Sequence, residues 1–522
     1  MKKHLLFFAV AVLGFAACTN KGFDPDDIAQ QGEKEQSYMA VSLLADDMTT
    51  RATGAGYEYE DGDASERVVK SLYFFLFDSE GNPFVIADSK NYKEVTINET
   101  GSDPDSSIDS SKPEGTVNVS DVKNKVLVFE NYKGKYPSKI VAVLNWAPPV
   151  GAASYSLNAL AEQIAGLKNA AGAFVMSNAV YATDNVAIRA TALSPANIAK
   201  SEAAAKENPV QIYVERIAAK VTVSATAENK YDTGKDIDGK KVYAKVTGWD
   251  LYNEYETSYL LKKINPAWTD VAVGFNWNDA AWLRSYWAMS QTSALDADAN
   301  KVSYATLSNT VGGSDYCGEN TYNAHNTKVV VKALLVDDSN NPVEVATWYG
   351  NSYVGETALR TVVANTLAAQ LYYKEGADYK SIVADHLMVK EASDYHVYFQ
   401  LSAAGESKDW YTYSTATGFK TATDDAVNVI LKAVEPALLY NDGQTYYYTD
   451  IKHLPSTVDA TKLGVVRNHV YKVNVNSVAG FGTPVYNADT KFDPEKPADV
   501  NTFVSAEVRV LSWRVVEYGY DL

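Results

Sequence analysis

A chain of 522 residues, 46% of them hydrophobic and 21% charged, has the stock of a globular protein with room for two or three domains, and global disorder is excluded. A formal charge of -18, with no cluster of Lys and Arg, argues against nucleic acid as a partner and against adhesion to anionic lipid by a basic patch. Two cysteines, Cys18 and Cys317, exclude a disulfide scaffold.

The chain opens with Lys2, Lys3 and His4, continues with an apolar run from Leu5 to Gly14, and places Phe15-Ala16-Ala17 before Cys18. This pattern predicts a lipoprotein signal over residues 1–17, cut between Ala17 and Cys18, with acyl groups added to Cys18. The run is shorter than the roughly 20 residues of a spanning helix. A plain secretory leader is the alternative, and Phe15 departs from the Leu usual three residues before such a cysteine. The polar, acidic stretch from Thr19 to Gln36 cannot bury enough apolar surface to fold and reads as a tether. Tyr38 to Ala45 (YMAVSLLA) then alternates, with Met39, Val41 and Leu43 on one face of a predicted strand. A polar, Gly-rich loop containing Arg51 follows, of the kind proteases enter.

Thirty-six tyrosines with abundant Val and Thr favour strands. Strands are predicted over Val68–Phe77, Lys139–Asn145, Gln211–Val223, Lys241–Asp250, Lys328–Val336, His396–Leu401 and His469–Val475. The insert from Glu99 to Gly115 is a loop; it carries Asp103, Asp105 and Asp109 but lacks the glycine a calcium loop needs at its turn. Helical spacing is confined to Leu157–Ala171 and Glu356–Leu371. The expected fold is mainly β: two β-sandwich domains with a few inserted helices, residues 52–222 and 223–522, meeting near Lys220 to Ala225.

Catalytic patterns are missing. There is no G-x-S-x-G and no H-E-x-x-H, and the six histidines stand singly, although His453 and His469 could meet in space as structural residues. Gly234 to Lys241 (GKDIDGKK) nearly matches a phosphate loop but ends in Lys where Ser or Thr must hold magnesium, so a hairpin turn is the better reading. Cys317 has no base nearby and reads as a buried, inert thiol. The expectation is a protein with no catalytic residues, no metal and no cofactor.

Several fragments in order resemble the Mfa-type fimbrial major subunits of Bacteroidales. They are Val214 to Val221 (VERIAAKV), Trp249 to Asn253, Trp282 to Ala288, Tyr316 to Thr321, Tyr446-Tyr447-Tyr448 with Ile451-Lys452-His453, Arg467 to Tyr471, Gly480 to Val485, and Trp513 to Val516. The resemblance implies transthyretin-like sandwiches and a type V pilin. Such a protein is exported as an outer-membrane lipoprotein through Cys18, cut by an Arg-specific protease and polymerised head-to-tail by strand exchange. Its partners would be copies of itself and the anchor and tip subunits of a surface fimbrium that supports adhesion and biofilm.

Within that frame Arg51–Ala52 is the favoured cut, Lys34 and Arg67 being poorer, and residues 18–51 form a propeptide with a removable strand. The candidate donor is 503–522, where Val504, Ala506, Val508 and Val510 share one face before the phase shifts to Trp513 and Val515. Two other readings stay open. One is a fimbrial tip or accessory subunit. The other is a glycan-binding surface lipoprotein using the nine tryptophans as stacking platforms.

Overall fold

The computed structural model describes residues 34–44, 62–86, 89–95, 97, 122, 125–183, 186–264, 302–321, 326–392, 395–451, 453, 464–492 and 504–511. The chain is mainly β, as the alternation and tyrosine content predict. The N-terminal part uses β1 (Lys34–Leu44), β2 (Leu72–Phe77), β3 (Tyr92–Val95), β4 (Lys125–Tyr132), β5 (Lys139–Leu144), β6 (Met176–Asn178) and β7 (Val210–Arg216). They form one sheet in the order β3-β2-β5-β6-β7-β1-β4, with Thr191–Ala192 added beside β5. β2 (LYFFLF) is buried at every position but Tyr73, which is the apolar run of a strand covered on both faces.

Two sequence expectations fail here for a shared reason. The strand predicted over 211–223 breaks at Ile217, whose N–H donates to the Val175 carbonyl at 3.1 Å. Its first half is β7, paired with β6, while its second half becomes β8 (Ala218–Ser224) in another sheet. The helix predicted over Leu157–Ala171 is only α1, Leu157–Ala161. Beyond it Ile164–Gly166 pairs antiparallel with Thr257–Tyr259, so a tertiary strand partner overrides local helix propensity.

The C-terminal part contains β8, β9 (Lys230–Ile237), β10 (Lys240–Tyr252), β11 (Ser314–Gly318) and β12 (Lys328–Val336). GKDIDGKK is the β9–β10 hairpin, turning at Asp238 (φ 51°) and Gly239 (φ 74°), the pair of left-handed residues a two-residue hairpin turn requires. After β12 the chain leaves for an insertion. Val345–Trp348 and Leu438–Tyr440 are antiparallel neighbours at its base. Between them lie α2 (Gly355–Leu367), β13 (Leu371–Glu375), β14 (Asp378–Ser381), β15 (Trp410–Ser414), β16 (Gly418–Ala422) and α3 (Asp424–Lys432). α2 is the helix expected at Glu356–Leu371, and α3 starts at Thr423, whose hydroxyl accepts from the Ala426 N–H at 3.2 Å as an N-cap.

The insertion buries its own core around Leu359, Leu371, Phe399, Trp410 and Leu431, a third core beyond the two sandwiches expected. β17 (Gln444–Asp450), β18 (Val470–Val478), β19 (Thr483–Pro484) and β20 (Val504–Leu511) complete the chain. β11-β8-β18-β20 form one sheet and β9-β10-β12-β17-β19 another. Val221, Val223, Val331, Leu335, Tyr447, Tyr471 and Val473, drawn from both, fill one core between them, which makes a sandwich.

Candidate functional site: the N-terminal strand and its groove

β1 begins four residues earlier than the alternation predicts and ends one residue sooner. It runs antiparallel to β4 from Lys34↔Tyr132 to Val41↔Lys125, and parallel to β7 from Val41↔Val210 to Leu44↔Tyr213. On the side that β7 does not reach, Tyr38 exchanges two backbone hydrogen bonds with Ala199, at 2.9 and 2.8 Å. Met39 and Val41 are fully buried and Leu43 is 1% exposed, all three within the N-terminal core. Each contributes roughly 1.5–3 kcal/mol by burial. Eleven residues at ~3.3 Å each make a seat of roughly 36 Å, with β4 left as an edge strand held by β1 alone in the sheet order.

Glu66, in the short turn Ala64–Arg67, is a buried polar anchor. Glu66 is 1% exposed, and its Oε1 accepts from Lys220 Nζ at 2.5 Å and from the Tyr316 hydroxyl at 2.5 Å. Its carbonyl accepts from Arg216 Nε at 2.7 Å. Burial pushes the Glu66 carboxyl up, but the hydrogen bonds from Lys220 and Tyr316 and the charges of Lys220 and Arg216 outweigh that and hold it below its ordinary value. Residues 62–67 are thereby fastened to β8 and β11. Sequence reasoning did not single out this anchor.

The C-terminal strand β20 is docked in its own sheet, antiparallel to β18. Val504, Ala506, Val508 and Val510 stand in register with Val478, Val475, Val473 and Tyr471, all four of the sandwich core. Ala17, Cys18, Arg51, Ala52, Trp513 and Val515 lie outside the described residues.

The remaining candidates are structural. His453 and His469 do meet, with ring centroids 4.9 Å apart; His453 Nδ1 lies 2.8 Å from the Tyr471 hydroxyl and His469 Nδ1 lies 2.7 Å from the Arg467 carbonyl. Burial and the nearby carboxylates of Glu254 and Asp315 push the Cys317 thiol well up, away from reactivity. Among the described residues no group of His, Cys, Asp and Glu could hold a metal ion, and no helix is long and apolar enough to cross a membrane. Trp249, Trp348 and Trp410 are buried, so these three offer no stacking platform.

Residues 438–519 match the C-terminal model of fimbrillin, the major fimbrial subunit protein type IV. An 86-residue stretch, 16% of this chain, is 34% identical to the minor fimbrium tip subunit MfA4 of Porphyromonas gingivalis and covers 23% of that protein's length. Among solved structures, a candidate cell adhesion protein from Parabacteroides distasonis aligns at 12% identity and TM-score 0.37, over 92% of this chain and 98% of that one. The C-terminally truncated tip fimbrial protein Mfa3 from Porphyromonas gingivalis aligns at 10% identity and TM-score 0.28, over 92% and 100%. Residues 438–519 are thus similar to a fimbrillin C-terminal region, and the likeness to a fimbrial tip subunit covers about a sixth of this chain.

Proposed function

We propose that the chain is a structural subunit of a cell-surface fimbrium, exported as a lipoprotein through Cys18, cut between Arg51 and Ala52, and joined head-to-tail by a donated strand. The observation that carries this reading is β1: a buried strand near the N-terminus, seated between β4 and β7 and followed in sequence by the Arg51 loop. Its loss leaves the polar groups of both flanking strands unpaired and an apolar seat open. A strand from another copy restores both, and the C-terminal segment 503–522 has the alternation to do so. Donor and seat lie on different sheets, so the contact is heterologous and propagates. Docked on β18, β20 is in a resting position and must leave its own sheet to be donated.

The test is Arg51→Ala with Cys18→Ser beside it. Arg51→Ala retains β1 and accumulates monomer of nearly full length. Cys18→Ser loses acyl labelling and surface delivery. Normal polymer from Arg51→Ala overturns the reading.

The curated relative is a tip subunit, which supports a second reading as a tip or accessory subunit of the same fimbrium. A tip needs a seat but no donor, so a chain cut before Phe503 that still assembles normally favours the tip.

A further inference from the structure

The insertion carries a surface that the polymerisation strands do not use. Its sheet, ordered β14-β13-β15-β16, buries Leu371, Ile382 and Trp410 on one face. The registers Tyr372↔Tyr411, Lys374↔Tyr379 and Tyr413↔Phe419 place the opposite set together on the other face. Tyr379, Tyr413 and Phe419 are 38%, 37% and 39% exposed, well beyond the usual state of such rings. They are also organised. Tyr379 and Phe419 stack at 3.8 Å with planes 5° apart, and Tyr372 and Tyr411 set their rings edge-on against this pair at 5.1 and 4.9 Å. Mutual packing fixes the rings before anything binds, so ligand capture orders few side chains.

The composition of the face selects the ligand. Its outward strand positions hold aromatic rings, Ser381, Thr421 and Lys374, with no aliphatic side chain and no carboxylate. Aromatic rings also serve protein interfaces, and capture of a peptide is the competing outcome of the test. A saccharide presents an apolar C–H face to rings and a rim of hydroxyls to phenols, which carry both properties in one side chain. Lys374 is the single charged residue among these positions, its Nζ 6.0 Å from the centre of the Tyr379 ring. Asp409, just before β15, meets it through the backbone, its carbonyl accepting from the Lys374 N–H at 3.1 Å. The neighbouring register pair Glu375↔Asp378 falls on the opposite face by strand alternation, so the aromatic face presents one ammonium and is locally complementary to an anion. We propose that this face binds a saccharide bearing an anionic group, stacked on the Tyr379–Phe419 cluster with its charge at Lys374. None of the four strands pairs with β1 or β20, so this site does not depend on polymerisation.

The test uses the soluble, unpolymerised full chain titrated by calorimetry and saturation-transfer NMR with 3′-sialyllactose, lactose 3′-sulfate, neutral lactose and a proline-rich peptide. The expected result is saturable binding of at least one anionic lactose, at least about tenfold tighter than neutral lactose. The two anionic sugars separate a carboxylate ligand from a sulfate one. Lys374→Glu, which leaves every ring in place, loses about tenfold or more; Phe419→Ser loses binding through the stack, with circular dichroism checking the fold. The proposal is overturned by equal affinity in wild type and Lys374→Glu, by neutral lactose binding as tightly, by capture of the peptide alone, or by no sugar binding up to about 10 mM.

Discussion

Arg467 shows how much of this protein rests on single buried charges. It is fully buried, with NH2 2.6 Å from Glu319 Oε2 and Nε donating to the same oxygen at 2.8 Å. Its other donors reach the Leu260 and Tyr259 carbonyls at 3.2 and 2.6 Å. Removing the guanidinium leaves a buried carboxylate and two carbonyls without it, so Arg467→Ala is expected to cost about 3–5 kcal/mol, read as a lower urea midpoint at unchanged m-value. Glu66 gives a pH signature. Its folded value lies below the ordinary one, so its stabilisation is present above the ordinary carboxylate range and is lost as pH falls through the lowered folded value. The melting temperature of wild type should exceed that of Glu66→Gln at neutral pH, and the gap should narrow below about pH 4.3; a gap that widens with acid contradicts the pairing. Neither charge was legible beforehand. Glu66 meets Lys220 across 154 positions and Arg467 meets Glu319 across 148, and no local pattern encodes such separations. Met39, Val41 and Leu43 were legible, because period-two alternation is written within eight consecutive residues.

At the scale of elements, the strands were easier to read than their partners. β2, β5, β12 and β18 stand where Val-, Leu- and Tyr-rich runs end in Gly, Asn or Asp, and 212–223 reads as a strand crossing between the two domains, yet nothing local says that it breaks at Ile217. The predicted helix after Leu157 failed because Ile164–Gly166 finds a strand at Thr257–Tyr259, an interaction invisible to propensity. For β1 the test is Met39→Asp. A carboxylate in this fully buried position, opposite the buried Leu127, should destabilise the N-terminal part by several kcal/mol, on the order of 3–5, visible as early hydrogen exchange in β4 and β7 while β8 and β18 stay protected. The C-terminal strand answers to a different substitution. Val508→Asp places a carboxylate at the position registered with the buried Val473, and the expected outcome is loss of the ladder of unboiled polymer.

For the molecule as a whole, two sandwiches were expected and a third core was missed, because the insertion has no compositional border: tyrosines, valines and short strands continue through it. Its independence is testable. Thr347 and Leu438 are cross-strand neighbours at its base, so replacing residues 348–437 by Asn-Gly should give a hairpin and a shorter chain that still folds its sandwich and still assembles. Failure of that chain to fold would show that the insertion supports the rest. The fimbrillin C-terminal region begins at 438, on the far side of the excision, and is untouched by it.

The adjacency of those two ends has a mechanical meaning. In the fimbrium proposed above, a filament held by exchanged strands would carry tension along its sheets, from the seat of β1 through β7 and β8 to β20. A unit that leaves and rejoins the chain at neighbouring positions of one sheet lies off that line, since pulling the subunit's ends does not pull its two ends apart. Shear strong enough to stretch the shaft would leave the insertion folded, so its outer face would keep its geometry under flow.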